Sequence, residues 1–138
     1  MVTVGIDQLP VANSGWLYVL LRRTPAGDEI RGRVRVAPDG GVWLGISTVV
    51  GGLETAIGTE VRATGLTIGP GSPIRVRVQG TGTAPTSWTM RAWPASAAEP
   101  AAWTVSVTDA IASLQGAGGV GLRGYLSRSA TNTAITFS

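Results

Sequence analysis

Residues 29–46, EIRGRVRVAPDGGVWLGI, decide how this chain reads. Arg31, Arg33 and Arg35 alternate with Ile30, Val34 and Val36. A period of two sends successive side chains to opposite faces of a strand. Next comes PDGG, whose proline and glycines supply the dihedrals of a tight turn. A second apolar run, carrying Trp43, follows it. The stretch predicts a β-hairpin with Ile30, Val34 and Val36 facing a core and the arginines facing out. That outward face poses the functional question. It is either a basic surface built to grip a ligand or the solvated side of a half-buried strand.

The same pattern continues in both directions. Residues 2–9 alternate and end at Pro10. Residues 15–23, GWLYVLLRR, are apolar on both faces and predict a covered, central strand. Residues 42–50 and 53–61 form two further strands that turn at Gly51 and Gly52, and residues 64–73 read as a loop crossing the domain. Residues 73–80, PIRVRVQG, put Ile74, Val76 and Val78 inside and Arg75, Arg77 and Gln79 outside. Residues 88–94, WTMRAWP, set Trp88, Met90 and Ala92 against Thr89, Arg91 and Trp93. Strands follow at 103–108 and 120–127, and a last one begins at 134–138. Residues 109–119 allow one or two helical turns, capped by Thr108 or Asp109 and stopped by glycines. Strands with turns every 8–12 residues or so, and almost no helix, predict an antiparallel sandwich or barrel.

Composition narrows the chemistry. A chain of 138 residues is most simply one domain and can bury a core without staples. It has no cysteine, which excludes disulfides and thiolate chemistry, and no histidine, the usual metal ligand and general base. All 11 basic residues are arginine, and with abundant alanine and glycine this fits the coding bias of a GC-rich genome. The pI of 10.6 overstates the basicity, because net charge is only +3. A nucleic-acid binder carries a larger excess in clusters. No run approaches the ~18 apolar residues of a membrane-spanning helix. The N-terminus lacks the basic-then-apolar order of a signal peptide and opens directly in a strand. Either a partner precedes that strand or the chain is a piece of something longer.

The acids are Asp7, Asp28, Glu29, Asp39, Glu54, Glu60, Glu99 and Asp109. No two are spaced i, i+2 on one strand face, as a glycosidase pair about 5–10 Å apart could be. There is no G-x-S-x-G, and serine or threonine nucleophiles lack a histidine base. The reading is therefore non-catalytic, with no cofactor and no metal. Calcium held by Asp28, Asp39 or Asp109 with loop carbonyls stays open, but no cluster of acids supports it.

Arg33, Arg35, Arg75, Arg77 and Arg91, with Arg31, all fall on outward faces and would share one surface if their strands were neighbours. The plainer reading is a solvated face that deters edge pairing, its stems covering apolar surface while the heads stay wet. The sharper reading is a face for acidic glycans, with nucleic acid a distant third. Of the five tryptophans, Trp88 shares parity with core residues, while Trp43 and Trp93 are the two expected to be accessible. Indoles can serve as flat platforms for sugar rings. The candidate ligand site is thus Trp43 and Trp93 with Arg33, Arg35, Arg75, Arg77 and Arg91.

Several stretches carry a family resemblance: VRVAPDGGV, GTAPTSW with RAWP, AEPAAW, and GGVGLRGYLS. With the segments around them, they resemble the concanavalin A-like (laminin-G/glucanase-type) jelly-roll modules of actinobacterial secreted proteins and actinobacteriophage minor tail proteins. The resemblance spans nearly the whole chain but rests on turn and core residues, so it identifies a scaffold and no site. It implies an all-β, two-sheet antiparallel jelly roll with at most one short helix, in one domain over residues 1–138. Similar modules begin earlier and finish their last strand, so the expectation is a domain lacking both ends. The Glu-x-Asp-x-x-Glu strand of the glucanase relatives has no match here. The expected function is a carbohydrate- or cell-surface-binding module, extracellular or on a phage tail. The alternative is a structural module that spaces or oligomerises subunits. Partners would be a glycan or other protein chains, including further copies, joined through open sheet edges beside residues 1–6 or 134–138. Residues 53–61 closing that gap is the other possibility.

Overall fold

A computed structural model describes residues 1–138. The elements are β1 (Val2–Val4), β2 (Gly15–Arg23), β3 (Glu29–Val36), β4 (Gly41–Val50), β5 (Leu53–Thr67), β6 (Ile74–Thr81), β7 (Thr86–Pro94), β8 (Val105–Asp109), a 3-10 turn (Ala112–Leu114) and β9 (Gly119–Leu126). They form a β-sandwich of two antiparallel sheets, ordered β1-β6-β7-β8 and β5-β4-β3-β2-β9.

The hairpin over residues 29–46 forms as its pattern predicts. Val34 pairs with Leu44 and Val36 with Val42 on the inner face, while Arg35 pairs with Trp43 and Arg33 with Gly45 on the outer face. The turn closes by Gly40 N–H donating to Ala37 O at 2.9 Å, and Asp39 Oδ1 accepts from Gly41 N at 2.8 Å. Gly40 has φ +78°, and a Cβ there would lie 2.7 Å from Ile68 O, so both dihedral and space demand glycine.

The core fills the space between the sheets. Ile30, Val34, Val36, Leu44 and Ile46 come from one, Val4, Ile74, Val76, Trp88 and Met90 from the other. Val78 is only half-buried, because it packs beside the open side of the sandwich. There Gly32 on β3 meets β6: a Cβ on Gly32 would sit 2.5 Å from Val78 Cγ2. The sheets therefore approach closely across a position with no side chain.

Several expectations need correcting. Residues 64–67 are not loop: β5 runs to Thr67, with register shifts against β4 and positive φ at Gly58 and Gly65. Glycine lets this edge strand bulge and resume pairing, which breaks the alternation that would have revealed it. The first strand ends at Val4, and residues 134–138 reduce to an Ile6–Phe137 bridge. These two segments hold each other, with Gly5 N donating to Ser138 O at 2.7 Å and Asp7 N to Thr136 O at 3.2 Å. The β5 strand lies at the far edge of its sheet and so does not close the gap beside β1 and β9. The expected helix is a single 3-10 turn whose N-cap is Ile111; Asp109 instead accepts from Ile111 N at 3.0 Å.

Candidate binding face

The arginines predicted to share one surface lie on opposite sides of the sandwich. Arg33 and Arg35 are on β3 in the five-stranded sheet, and Arg75, Arg77 and Arg91 are on β6 and β7 in the four-stranded sheet. They also differ from expectation in exposure, since Arg33, Arg35, Arg75 and Arg77 are half-buried. The register nevertheless stands, because Ile30, Val34, Val36, Ile74 and Val76 are all sealed inside. The covering comes from side chains and loops on the outer faces.

On the four-stranded sheet, Arg77 faces Arg91 directly across the ladder. Like charges so placed repel. The connection between β7 and β8 folds back over them and supplies Glu99, whose Oε2 lies 3.0 Å from Arg77 Nη2 and Oε1 2.8 Å from Arg91 Nε. Burial works against the Glu99 carboxylate, but hydrogen bonds and charge from Arg77 and Arg91 outweigh it and lower its pKa. Arg91 also donates to Ala101 O at 2.9 Å and stacks 4.0 Å from the Trp103 ring centre. Trp93, expected to be accessible, is 3% exposed. Its strand parity is outward, as read, in register with Arg75, but an outward position on this face is not thereby exposed. No joint Trp43–Trp93 strip exists, because the two residues belong to different sheets. Arg77 and Arg91 are thus paired with Glu99 within the chain, and Trp93 is buried.

The five-stranded sheet carries a different arrangement. Register aligns one row across all five strands: Tyr125, Trp16, Arg35, Trp43 and Arg62. Trp16 and Tyr125 meet at 5.7 Å between ring centres. The Trp43 indole is half-buried, with Arg35 Cζ at 4.7 Å and Arg62 Cζ at 6.0 Å from its centre. Glu60 accepts from Arg35 Nε at 2.8 Å, and Asp39 Oδ2 lies 3.8 Å from Arg62 Nη2.

The next row holds Arg123, Tyr18, Arg33 and Gly45. Gly45 leaves the sheet flat beneath Arg33, since a Cβ there would be 3.1 Å from its Nη2. Burial raises the Tyr18 phenol above its usual pKa, with Glu54 adding to the effect and Arg31, Arg33 and Arg123 opposing it. Arg31, one row further, sits between Glu29 and Glu54, 2.7 Å from each. Desolvation acts to lower its pKa, but those two acids prevail and raise it. Tyr18, Arg31, Glu54, Arg123 and Tyr125 together line a depression of about 220 Å³.

Sequence reading placed Arg33, Arg35 and Trp43 on this face but missed Trp16, Tyr18, Arg62, Arg123 and Tyr125. Trp16 and Tyr18 alternate in GWLYVLLRR, as do Arg123 and Tyr125 in VGLRGYLS, so their shared parity was present. What joins them is the strand order β9-β2-β3, which is non-local. No group of three histidines, cysteines or acids is placed to hold a metal ion. Asp28 and Asp39 instead accept backbone N–H groups of Gly51 and Gly41. No helix is long and apolar enough to cross a membrane. No family model matches the chain, and the searches of curated proteins and of solved structures found no match either.

Proposed function

We propose that the outer face of the five-stranded sheet binds a polysaccharide or cell-surface glycan without catalysis. The supporting observation is the cross-strand row Tyr125–Trp16–Arg35–Trp43–Arg62, three aromatic rings and two guanidinium groups in one line. Aromatic faces offer sugar rings apolar contact, and guanidinium forks donate hydrogen bonds to hydroxyl and acidic groups. Arg35 and Arg62 hold the Trp43 ring in place, so little of its freedom is lost on binding. The reading carries with it a concanavalin A-like jelly-roll module of a secreted protein or phage tail. A glycan array probed with the whole chain tests it, followed by titration of Trp16→Ala and Trp43→Ala. Each substitution should weaken binding at least tenfold while the chain stays folded. Unchanged affinity in both would refute this face as the site.

A second reading, a structural module that assembles by strand addition, is favoured by the open side of the sandwich. β1 and β9 both lie at sheet edges there. Val120 is 80% exposed and Leu122 58% exposed, and nine of the ten residues lining the adjacent cavity of about 340 Å³ are hydrophobic. Unpaired strand edges can recruit another strand. Light scattering separates the readings. Concentration-dependent oligomers abolished by Leu122→Lys support assembly, and a monomer at every concentration refutes it.

A further inference from the structure

We infer that the ligand of this face is an anionic polysaccharide, whose acidic groups are held by Arg33 and Arg123 on either side of Tyr18. The inference rests on the glycan-binding reading and adds the chemical class. Charge on the outer face of the five-stranded sheet is unevenly paired. Arg23 and Arg31 pair with Glu29, Arg31 also with Glu54, Arg35 with Glu60, and Arg62 with Asp39. Arg33 and Arg123 have no carboxylate partner, and the Nε of Arg33 is buried without a hydrogen-bond acceptor.

These two cations are in register with the same residue, Tyr18, from its two sides. Neighbouring strands lie about 4.8 Å apart, so the two backbones are separated by roughly 10 Å. Neither guanidinium is offset by a carboxylate ion pair of its own, so an acidic group laid across this row gains attraction from both. Tyr18 adds a hydroxyl donor at the same place. The flat floor at Gly45 leaves the guanidinium of Arg33 lying along the sheet. The aromatic row is two residues away along each strand, or about 7 Å. One extended sugar chain can therefore lie with its rings on Trp16 and Trp43 and its acidic groups toward Arg33 and Arg123. Arginine forks suit carboxylate and phosphate alike, so either group would serve.

The test titrates the whole chain with three polymers: polygalacturonate, its neutral methyl ester, and a polymer of glycerol phosphate. At low salt, at least one of the two anionic polymers should bind about tenfold or more tighter than the ester. Which one does so identifies carboxylate or phosphate as the group. The difference should shrink with added salt. Arg33→Gln and Arg123→Gln should each reduce it, whereas Trp43→Ala should weaken the two polymers that carry sugar rings, polygalacturonate and its ester. Arg123 is exposed on an edge strand, so Arg123→Gln folds even if the packing of Arg33 over Gly45 does not tolerate replacement. Equal affinity for the ester and both anionic polymers overturns the anionic assignment and leaves the glycan face standing. Binding to none of the three, with an array empty of hits, overturns the face itself.

Discussion

Replacing Gly32 with alanine should destabilise the protein, and the amount follows from the contact between the sheets. The new Cβ would lie 2.5 Å from Val78 Cγ2, 3.3 Å from Cγ1 and 3.5 Å from Cβ. Real carbon atoms do not approach to 2.5 Å, so something must move. Gly32 is central in β3, paired on both sides, and Val78 is stiff at χ1 and paired to Met90. Overpacking of this kind costs about 1–3 kcal/mol. The higher strand propensity of alanine returns only a few tenths of the scale's ~1 kcal/mol span. A net loss of about 1–2 kcal/mol is expected, or roughly 3–7 °C in Tm for a chain this size. Denaturant unfolding followed by tryptophan fluorescence measures it. A double-mutant cycle with Val78→Ala makes the assignment specific. Removing the obstructing methyls should relieve the strain, giving a coupling of about 1 kcal/mol or more between contacting sites. If Gly32→Ala is neutral, or the two changes simply add, β3 and β6 do not face each other as described.

Other outcomes follow from single side chains. Arg22, at φ +50°, turns inward to donate to Thr86 Oγ1 and Leu114 O at 2.7 Å each and lies 5.0 Å from the Trp88 ring centre. Arg22→Ala should cost about 2–3 kcal/mol in denaturant unfolding, given ~1.5–3 kcal/mol for hydrogen bonds to charged groups. Trp93→Ala should cost about 3 kcal/mol as a buried aromatic truncation, and stability unchanged by that substitution would mean the ring is a surface platform after all. Glu99 has its pKa lowered from 4.5. Its ionised form therefore stabilises the fold above pH 4.5, and that contribution is lost as pH falls through the lowered value. Acid titration of stability should accordingly be shallower in Glu99→Gln than in the parent chain.

What could be read in advance was what strand periodicity and turn chemistry encode locally. The alternation of residues 30–36 and 74–78 set the inner and outer faces correctly, and PDGG set the hairpin. What escaped was set by distant partners. Nothing in RVRV and RVRV says that the first belongs to one sheet and the second to the other. Trp93 has outward parity, yet it is buried, on the face where the connection to β8 folds back onto Arg77 and Arg91. Arg22 sits in a run that looks like a strand end, but a left-handed residue reverses its direction. The bulged end of β5 carries no alternation because its glycines change its register against β4. The candidate face was half-legible for the same reason: β3 and β4 are joined by a turn, whereas β9 reaches β2 across the whole chain.

The five indole N–H signals offer the most direct test of the binding face. In a nitrogen–proton correlation spectrum, titration with the tightest-binding array glycan should shift the Trp16 and Trp43 signals. Those of Trp88 and Trp93, which are buried, and of Trp103, in the connection over the four-stranded sheet, should stay in place. Shifts confined to Trp103 and Trp93, or no shift in any indole at saturating glycan, would contradict the assignment of the five-stranded sheet as the binding surface.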